Sequence, residues 1–337
     1  MVTTEPAAPE APKPQAEPER SARRLQMRSL VDRFGILLAW LIVAIVFSVL
    51  EPSSFFTEAS FSTIFGSQAV LLILSLALLI PLTVGEFDLS VTGSMSMANI
   101  LIGFLNIKHG WPIGAAVAVA VGWGLLIGIV NVVFVMVFRV ESIVVTLGSG
   151  TLWIGVAYGL QPSNLAGVTE VLVNVTRTNV IGLPLAFWYG LILTLLAWYV
   201  YSYTPLGRYL YFVGANRQVS RLSGIPVSTI RAGSLIVSAV VSALAGVALA
   251  GTLDASSPSI SAAYLLPAFA AVFLGATAIT PGRFNPWGTF IAVYFLITGI
   301  TGLEYFGLSG WIEDAFYGAS LVLAVALSRL AARQREA

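Results

Sequence analysis

Ten stretches of nearly continuous hydrocarbon, separated by polar breaks, leave this chain few ways to fold. A membrane crossing needs roughly 20 mostly apolar residues, with about 17–25 as the working range. On that ruler the crossings fall at 34–50, 61–84, 89–105, 113–138, 142–160, 184–202, 231–252, 264–280, 287–302 and 311–330. Within lipid every backbone N–H and C=O must find a partner inside the protein, so segments of this length are helices. The expected fold is an all-α integral membrane protein with about ten transmembrane helices. The first, third and ninth stretches are short or interrupted by Gly and Ser, so some helices are expected to be broken and the count to fall within one of ten. Composition agrees: 10% of residues are charged and 57% hydrophobic, where a soluble domain carries about 25% charged residues.

The basic residues give the orientation. With the N-terminus inside, the inner segments collect Lys13, Arg20, Arg23, Arg24, Arg28, Arg33 and Arg139, then Arg208, Arg217, Arg221 and Arg231. They also collect Arg283, Arg329, Arg333 and Arg335, while the outer segments hold only Lys108 and Arg177. Positive charge on the cytoplasmic side is the rule for such proteins, and an even number of spans puts both termini there. Residues 1–33 read as a disordered, basic cytoplasmic tail, because the Ala/Pro/Glu-rich start offers too little apolar surface to offset ordering entropy. Residues 34–330 form the transmembrane domain, with a long inner loop at 203–230, and 331–337 make a cytoplasmic C-terminal tail. The basic start runs into an uncleaved span rather than a short apolar core with a cleavage site, so it is not a secretory signal.

Two punctuated segments interrupt the hydrocarbon. The first is Thr83-Val-Gly-Glu-Phe-Asp-Leu-Ser-Val-Thr-Gly-Ser94, between the second and third spans. The second is Phe273-Leu-Gly-Ala-Thr-Ala-Ile-Thr-Pro-Gly-Arg-Phe-Asn-Pro-Trp-Gly-Thr289, between the eighth and ninth. Each places a Gly after a bulky run, then a polar turn, then small residues opening a new helix, as internally repeated transporters do. Glu86 and Asp88 are the only acids between Glu58 and Glu141. Ionisable groups at membrane depth mark a pathway or a buried pair. Asp88 is also well placed to cap the third span, since a carboxylate accepts from free backbone N–H groups. Glu86 fits capping less well and either faces a solute path or sits at the interface.

The inner loop is long, basic and free of acids. Gln218-Val-Ser-Arg-Leu-Ser-Gly-Ile-Pro226 reads as a short helix with Gly224 near its C′ position and Pro226 blocking continuation. Pro205-Leu-Gly-Arg208 reads as the turn that starts the loop. Arg217 and Arg221 lie four apart, on one face, suited to acidic or carbonyl groups. The outer segment Gln161–Leu183 is expected to form a surface helix or a hairpin.

These residues carry a resemblance. Gly85…Asp88-Leu-Ser-Val91, Asn131…Thr146-Leu-Gly148, Gly207-Arg-Tyr…Gly214-Ala-Asn216…Ser220-Arg-Leu-Ser-Gly-Ile225 and Leu274-Gly-Ala-Thr277…Gly282-Arg283…Gly288-Thr289 occur in register. Together they resemble the permease subunit of ribose/xylose/galactose-type ABC sugar importers. The chain departs from that pattern at Glu86 and Val132, where the family has Gly, at Thr92, where the next Gly is usual, at Glu141, where Pro is common, and at Phe284, Asn285 and Pro286.

The resemblance implies a multi-pass protein of the bacterial inner membrane that passes a sugar or similar small polar solute inward by alternating access. It implies as partners a cytoplasmic ABC ATPase, a periplasmic or lipid-anchored solute-binding protein and a second permease subunit, a homodimer being expected. Gly85, Glu86, Asp88, Ser90, Asn131, Thr146, Gly275 and Thr277 would line the solute path. Arg208, Gly214, Asn216, Arg217, Arg221, Leu222 and Gly224 would serve ATPase coupling, and the outer segment would meet the binding protein. The competing reading is an ion-coupled secondary transporter that uses Glu86 and Asp88. The chain itself is not expected to be an enzyme. It has no Cys and one His, His109, no metal-ligand cluster and no Gly-x-x-x-x-Gly-Lys-[Ser/Thr] loop, so ATP must be handled by another polypeptide. No cofactor, metal or nucleic acid is expected.

Overall fold

The computed structural model describes residues 17–336 apart from 56 and 309. The first crossing is the end of α1 (Glu17–Leu50), which begins well before its apolar part. Residues 17–33, expected to be disordered, are helical, and the run holds Ala, Arg, Leu, Met and Gln, all strong helix formers. Residues 1–16 of that expected tail lie outside the described residues.

The second predicted span is two pieces, α2 (Glu58–Ser67) and α3 (Ala69–Thr83), separated at Gln68. Helix α3 is Leu-rich on every face and is buried almost throughout, as a helix surrounded by other helices must be. The third span is α4 (Val91–Ile102), whose last turn loosens into a π-helical segment, Gly103–Lys108. Then α5 (Ile113–Val132) relaxes likewise over Val133–Val137, and α6 (Ser142–Leu160) follows.

The outer segment forms both expected alternatives. A short helix, α7 (Glu170–Arg177), is followed by a two-residue hairpin. The chain re-enters as α8 (Leu185–Tyr203). The inner loop is two helices, α9 (Pro205–Ala215) and α10 (Arg217–Leu222). Pro205 was read as a turn, but it occupies the first position of α9, where its missing N–H costs nothing and its fixed φ favours the helix. The bundle is completed by α11 (Val227–Leu253), α12 (Leu265–Gly275), α13 (Pro286–Tyr305) and α14 (Trp311–Glu336). Among the described residues six helices are long and apolar enough to cross a membrane, and the apolar runs Phe34–Leu50 and Ile260–Gly275 are shorter.

Helix α11 is the axis, packed against α3, α4 and α5. Small residues allow this. A Cβ added at Gly246 of α11 would sit 2.2 Å from the Met95 carbonyl of α4, and one at Gly124 of α5 would sit 2.6 Å from Ala243 Cβ. Helix pairs in lipid associate through such close backbone approach. By contrast α6 and α8 are mostly exposed along their length and form the rim.

The connections sort to two ends. At one, the predicted outer segments meet: the Thr169 N–H donates to Asn106 (3.1 Å), Arg177 to the Thr252 carbonyl (2.9 Å), and Leu165–Ala166 pairs with Ala255–Ser256. At the other end, both punctuated segments, the 139–141 turn and helices α9 and α10 come together.

Candidate functional site

The first punctuated segment is a helix stop followed by a restart. Gly85 is left-handed (φ 75°), a region open to Gly at no steric cost. Its N–H donates to the Leu82 carbonyl (3.1 Å) and the Glu86 N–H to the Pro81 carbonyl (2.9 Å). That bond pair is a Schellman motif closing α3. Two residues on, Asp88 Oδ1 accepts from the Ser90 N–H (3.0 Å) and from Ser90 Oγ (2.6 Å). Asp88 thereby forms an Asx turn just before α4; the N-cap of α4 is Ser90, not Asp88 as its sequence reading had it, and Asp88 holds that residue instead.

The hinge is stitched sideways to α5 and α6. Asn131 Nδ2 donates to Ser90 Oγ (2.7 Å), Ser142 Oγ accepts from the Phe87 N–H (3.2 Å), and Thr146 Oγ1 accepts from the Leu89 N–H (3.0 Å). Gly150 admits the contact: a Cβ there would lie 2.9 Å from the Leu89 carbonyl. Asp88, Ser90, Asn131 and Thr146, placed on the solute path by resemblance, thus form one fully buried polar cluster. Asp88 Oδ2 and Asn131 Oδ1 have no hydrogen-bond partner within it.

Glu86 points the other way, toward the inner loop. Its side chain is 2% exposed, and Oε1 accepts from Arg217 Nη2 (2.7 Å) and from Arg231 Nε. Arg217 Nη2 also donates to the Gly85 carbonyl (2.8 Å). The acid and carbonyl groups that Arg217 suggested in the sequence are therefore found within the chain. Around this triad lies an open cavity of about 900 Å³ that Arg139, Glu141, Arg221 and Ser228 also line. The carboxylates that an ion-coupled transporter would use are both engaged, Glu86 by two guanidiniums and Asp88 by Ser90.

The second hinge is held without charge pairing. Asn285 Nδ2 donates to the carbonyls of Ala278 (3.0 Å), Arg283 (3.1 Å) and Gly275 (3.3 Å), while Oδ1 accepts from the Gly288 N–H (2.7 Å). Gly275 brings α12 against α13, since a Cβ there would sit 2.5 Å from the Thr289 nitrogen. Thr277 Oγ1 turns back to the Leu274 carbonyl (2.8 Å). Ile279 takes a left-handed φ of 60°, a rare conformation for a β-branched residue.

Four phenylalanines join the hinges. Phe87 stacks on Phe269, which stacks on Phe273, whose neighbour is Phe284, with ring centroids 6.4, 6.3 and 5.4 Å apart. Such pairs add about 0.5–1.5 kcal/mol each beyond their area.

The inner loop touches both hinges. From α9 the Tyr211 hydroxyl donates to the Phe284 carbonyl (2.8 Å), and the Arg283 guanidinium lies over its ring (5.5 Å). Burial pushes the Tyr211 hydroxyl pKa up, with Arg283 opposing, so it stays a neutral donor. Gly214 lets α9 meet the end of α3, where a Cβ would lie 2.0 Å from the Thr83 carbonyl. Asn216 caps α10 through Oδ1, accepting from the N–H groups of Gln218 and Val219 (3.0 Å each). Gly224 (φ 78°) ends α10 in a second Schellman motif, with Gly224 N to the Arg221 carbonyl (3.1 Å) and Ile225 N to the Ser220 carbonyl (3.0 Å).

Gly214, Asn216, Arg217 and Gly224 thus build and seat the loop, whereas Arg208 and Leu222 are exposed and Arg221, also exposed, lines the cavity around Glu86. Leu222 is 83% exposed, and Val219 on the same helix and Phe212 on α9 are exposed too. Sequence reasoning did not pick out Arg231, Ser142, Tyr211 or Asn285 as site residues. The one signal was that Asn285 breaks the family pattern within a hinge.

A bundle of apolar helices whose interior is reached by two broken segments is an architecture that suits a membrane permease. The chain belongs to the family described as branched-chain amino acid transport system / permease component, which it matches over residues 60–325. It is 28% identical to the ribose import permease protein of Escherichia coli, over 90% of this chain and 96% of that one. Its identity to the D-allose transport system permease protein of Escherichia coli is 26%, over 89% and 92% of the two chains. Its identity to the autoinducer 2 import system permease protein of Photorhabdus luminescens is 25%, over 75% and 78%. This is the permease component of an ABC importer, as the motifs implied.

Proposed function

We propose that this chain carries a sugar or a similarly small polar solute through the bacterial inner membrane, paired with a second permease subunit, most simply a copy of itself. The solute arrives from a binding protein at the end formed by α7 and its neighbours. An ABC ATPase docks at the other end, which the positive-inside pattern makes cytoplasmic.

The observation that carries this reading is the inner loop. A polar, non-spanning segment would not ordinarily leave Phe212, Val219 and Leu222 exposed unless a partner covers them, since exposed apolar patches mark interaction sites. Arg208 and Arg221, exposed on α9 and α10, suit an acidic rim on the ATPase. The same loop grips both hinges, so a push on α10 is delivered to the two places where the helices are broken. The path would open beside the first hinge, where Asp88 Oδ2 and Asn131 Oδ1 offer acceptors to sugar hydroxyls once the cluster parts, with Gly275 and Thr277 contributing from the second.

The test is uptake of labelled pentoses and hexoses by proteoliposomes holding the permease, its ATPase and its binding protein. ATP-dependent uptake that a protonophore leaves intact is expected. Uptake that ignores ATP and collapses with the ion gradient overturns the reading in favour of ion coupling.

A further inference from the structure

We propose that Glu86, with Arg217 and Arg231, is an ionic tether through which the inner loop pulls on the first hinge. In this role Glu86 positions the hinge and does not contact solute. The inference rests on the ATP-driven reading above and names the internal link that reading needs.

Three observations converge. First, the three residues come from three separate elements: Glu86 from the hinge, Arg217 from the first residue of α10, and Arg231 from the first turns of α11. The triad is therefore the electrostatic joint between a loop that a motor can move and the axis of the bundle. Second, Arg217 holds the hinge backbone as well as its side chain, through the Gly85 and Val84 carbonyls (2.8 and 3.4 Å). These carbonyls belong to the segment whose left-handed glycine ends α3, so displacement of Arg217 acts on the helix stop itself. Third, burial is graded across the triad: Glu86 is 2% exposed, Arg231 21% and Arg217 42%. A buried carboxylate cannot be left without a counter-charge, while a half-exposed guanidinium on a short helix can move. Glu86 must then follow Arg217 or transfer its bond wholly to Arg231. Both arginines meet on one oxygen, Oε1, which is the geometry such a transfer requires.

Charges facing Glu86 from the surrounding elements are Arg139 and Glu141 from the 139–141 turn, Arg217 and Arg221 from α10, and Arg231 from α11. The excess among these groups is positive.

The experiment is hydrogen–deuterium exchange on the permease–ATPase complex in lipid nanodiscs, with and without the non-hydrolysable nucleotide AMP-PNP. In the unaltered complex the nucleotide is expected to change exchange both at 215–225 and at 84–90. Glu86→Gln keeps the first change and loses the second, and Glu86→Asp retains most of both. Arg217→Gln, which alters a half-exposed side chain and so guards against a misfolded Glu86 variant, behaves as Glu86→Gln does. The double variant loses no more than either single one. An undiminished change at 84–90 in Glu86→Gln, or its absence in the unaltered complex while 215–225 responds, overturns the tether and leaves the ATP-driven reading standing. No response at 215–225 in the unaltered complex overturns that reading and the tether with it.

Discussion

The two hinges solve one problem with different chemistry. Each ends a helix inside a bundle and restarts another, and each must satisfy the backbone groups that the break sets free. The second hinge does so with Asn285, whose amide serves three carbonyls and one N–H within 14 residues of chain. The first uses a Schellman stop and an Asx turn for its own backbone, then ties itself to α5, α6, α10 and α11 by side chains. A closed neutral network holds a shape locally. An open charged one binds distant elements together and is sensitive to where they move. An aromatic ladder from Phe87 to Phe284 connects the two hinges.

The largest effect is expected from removing both guanidiniums. Arg217→Gln with Arg231→Gln leaves Glu86 buried and unpaired, and breaking a buried pair in this way costs about 3–5 kcal/mol. The complex should melt markedly lower in a nanodisc thermal scan, and adding Glu86→Gln to the pair should recover most of the loss. If the triple variant melts no higher than the double, the charge contrast between the hinges is not what matters.

Next is Asn285→Ala, which orphans buried groups of the second hinge at about 1–3 kcal/mol. Its effect should be independent of salt, whereas the Arg217–Glu86 contribution, reaching a half-exposed partner, should weaken as ionic strength rises. Equal salt sensitivity would dissolve the distinction. Phe269→Leu removes the middle of the ladder, with its about 0.5–1.5 kcal/mol per ring pair. It should reduce transport more than it reduces melting temperature. The smallest stability effect belongs to Leu222→Glu: an exposed position should change folding stability by no more than about 0.5 kcal/mol. Pull-down of the ATPase should nevertheless fail.

Much of this was legible from the chain before its structure. Spanning segments announce themselves because lipid demands long apolar runs, and each of the ten expected ranges overlaps an α-helix, the second being divided between α2 and α3, although among the described residues six helices are long and apolar enough to cross. Gly224 and Pro226 signalled the end of α10 through local chemistry alone. What stayed hidden has no local signature. Glu86 and its two arginines lie 131 and 145 residues apart in sequence, so the acid in the hinge looked like a candidate for solute contact. Pro205 is the exception: it was misread because the same residue opens turns and helices, although Thr204 before it supplies a local start signal, its Oγ1 accepting from the Gly207 N–H (3.3 Å) as the N-cap of α9. Asn285 looked like a disruption of a motif until its four hydrogen bonds were seen together.

The account turns on the inner loop as the place where ATP hydrolysis reaches the membrane. The most direct measurement is ATP hydrolysis by the purified permease–ATPase complex in nanodiscs, with the unaltered chain and with Arg221→Glu, at an exposed residue of α10 that also lines the Glu86 cavity. A stable complex is predicted, with hydrolysis that falls at least about tenfold in the variant, the cost of about 1.4 kcal/mol in coupling. A complex that forms and hydrolyses ATP equally well with Arg221 reversed would contradict it.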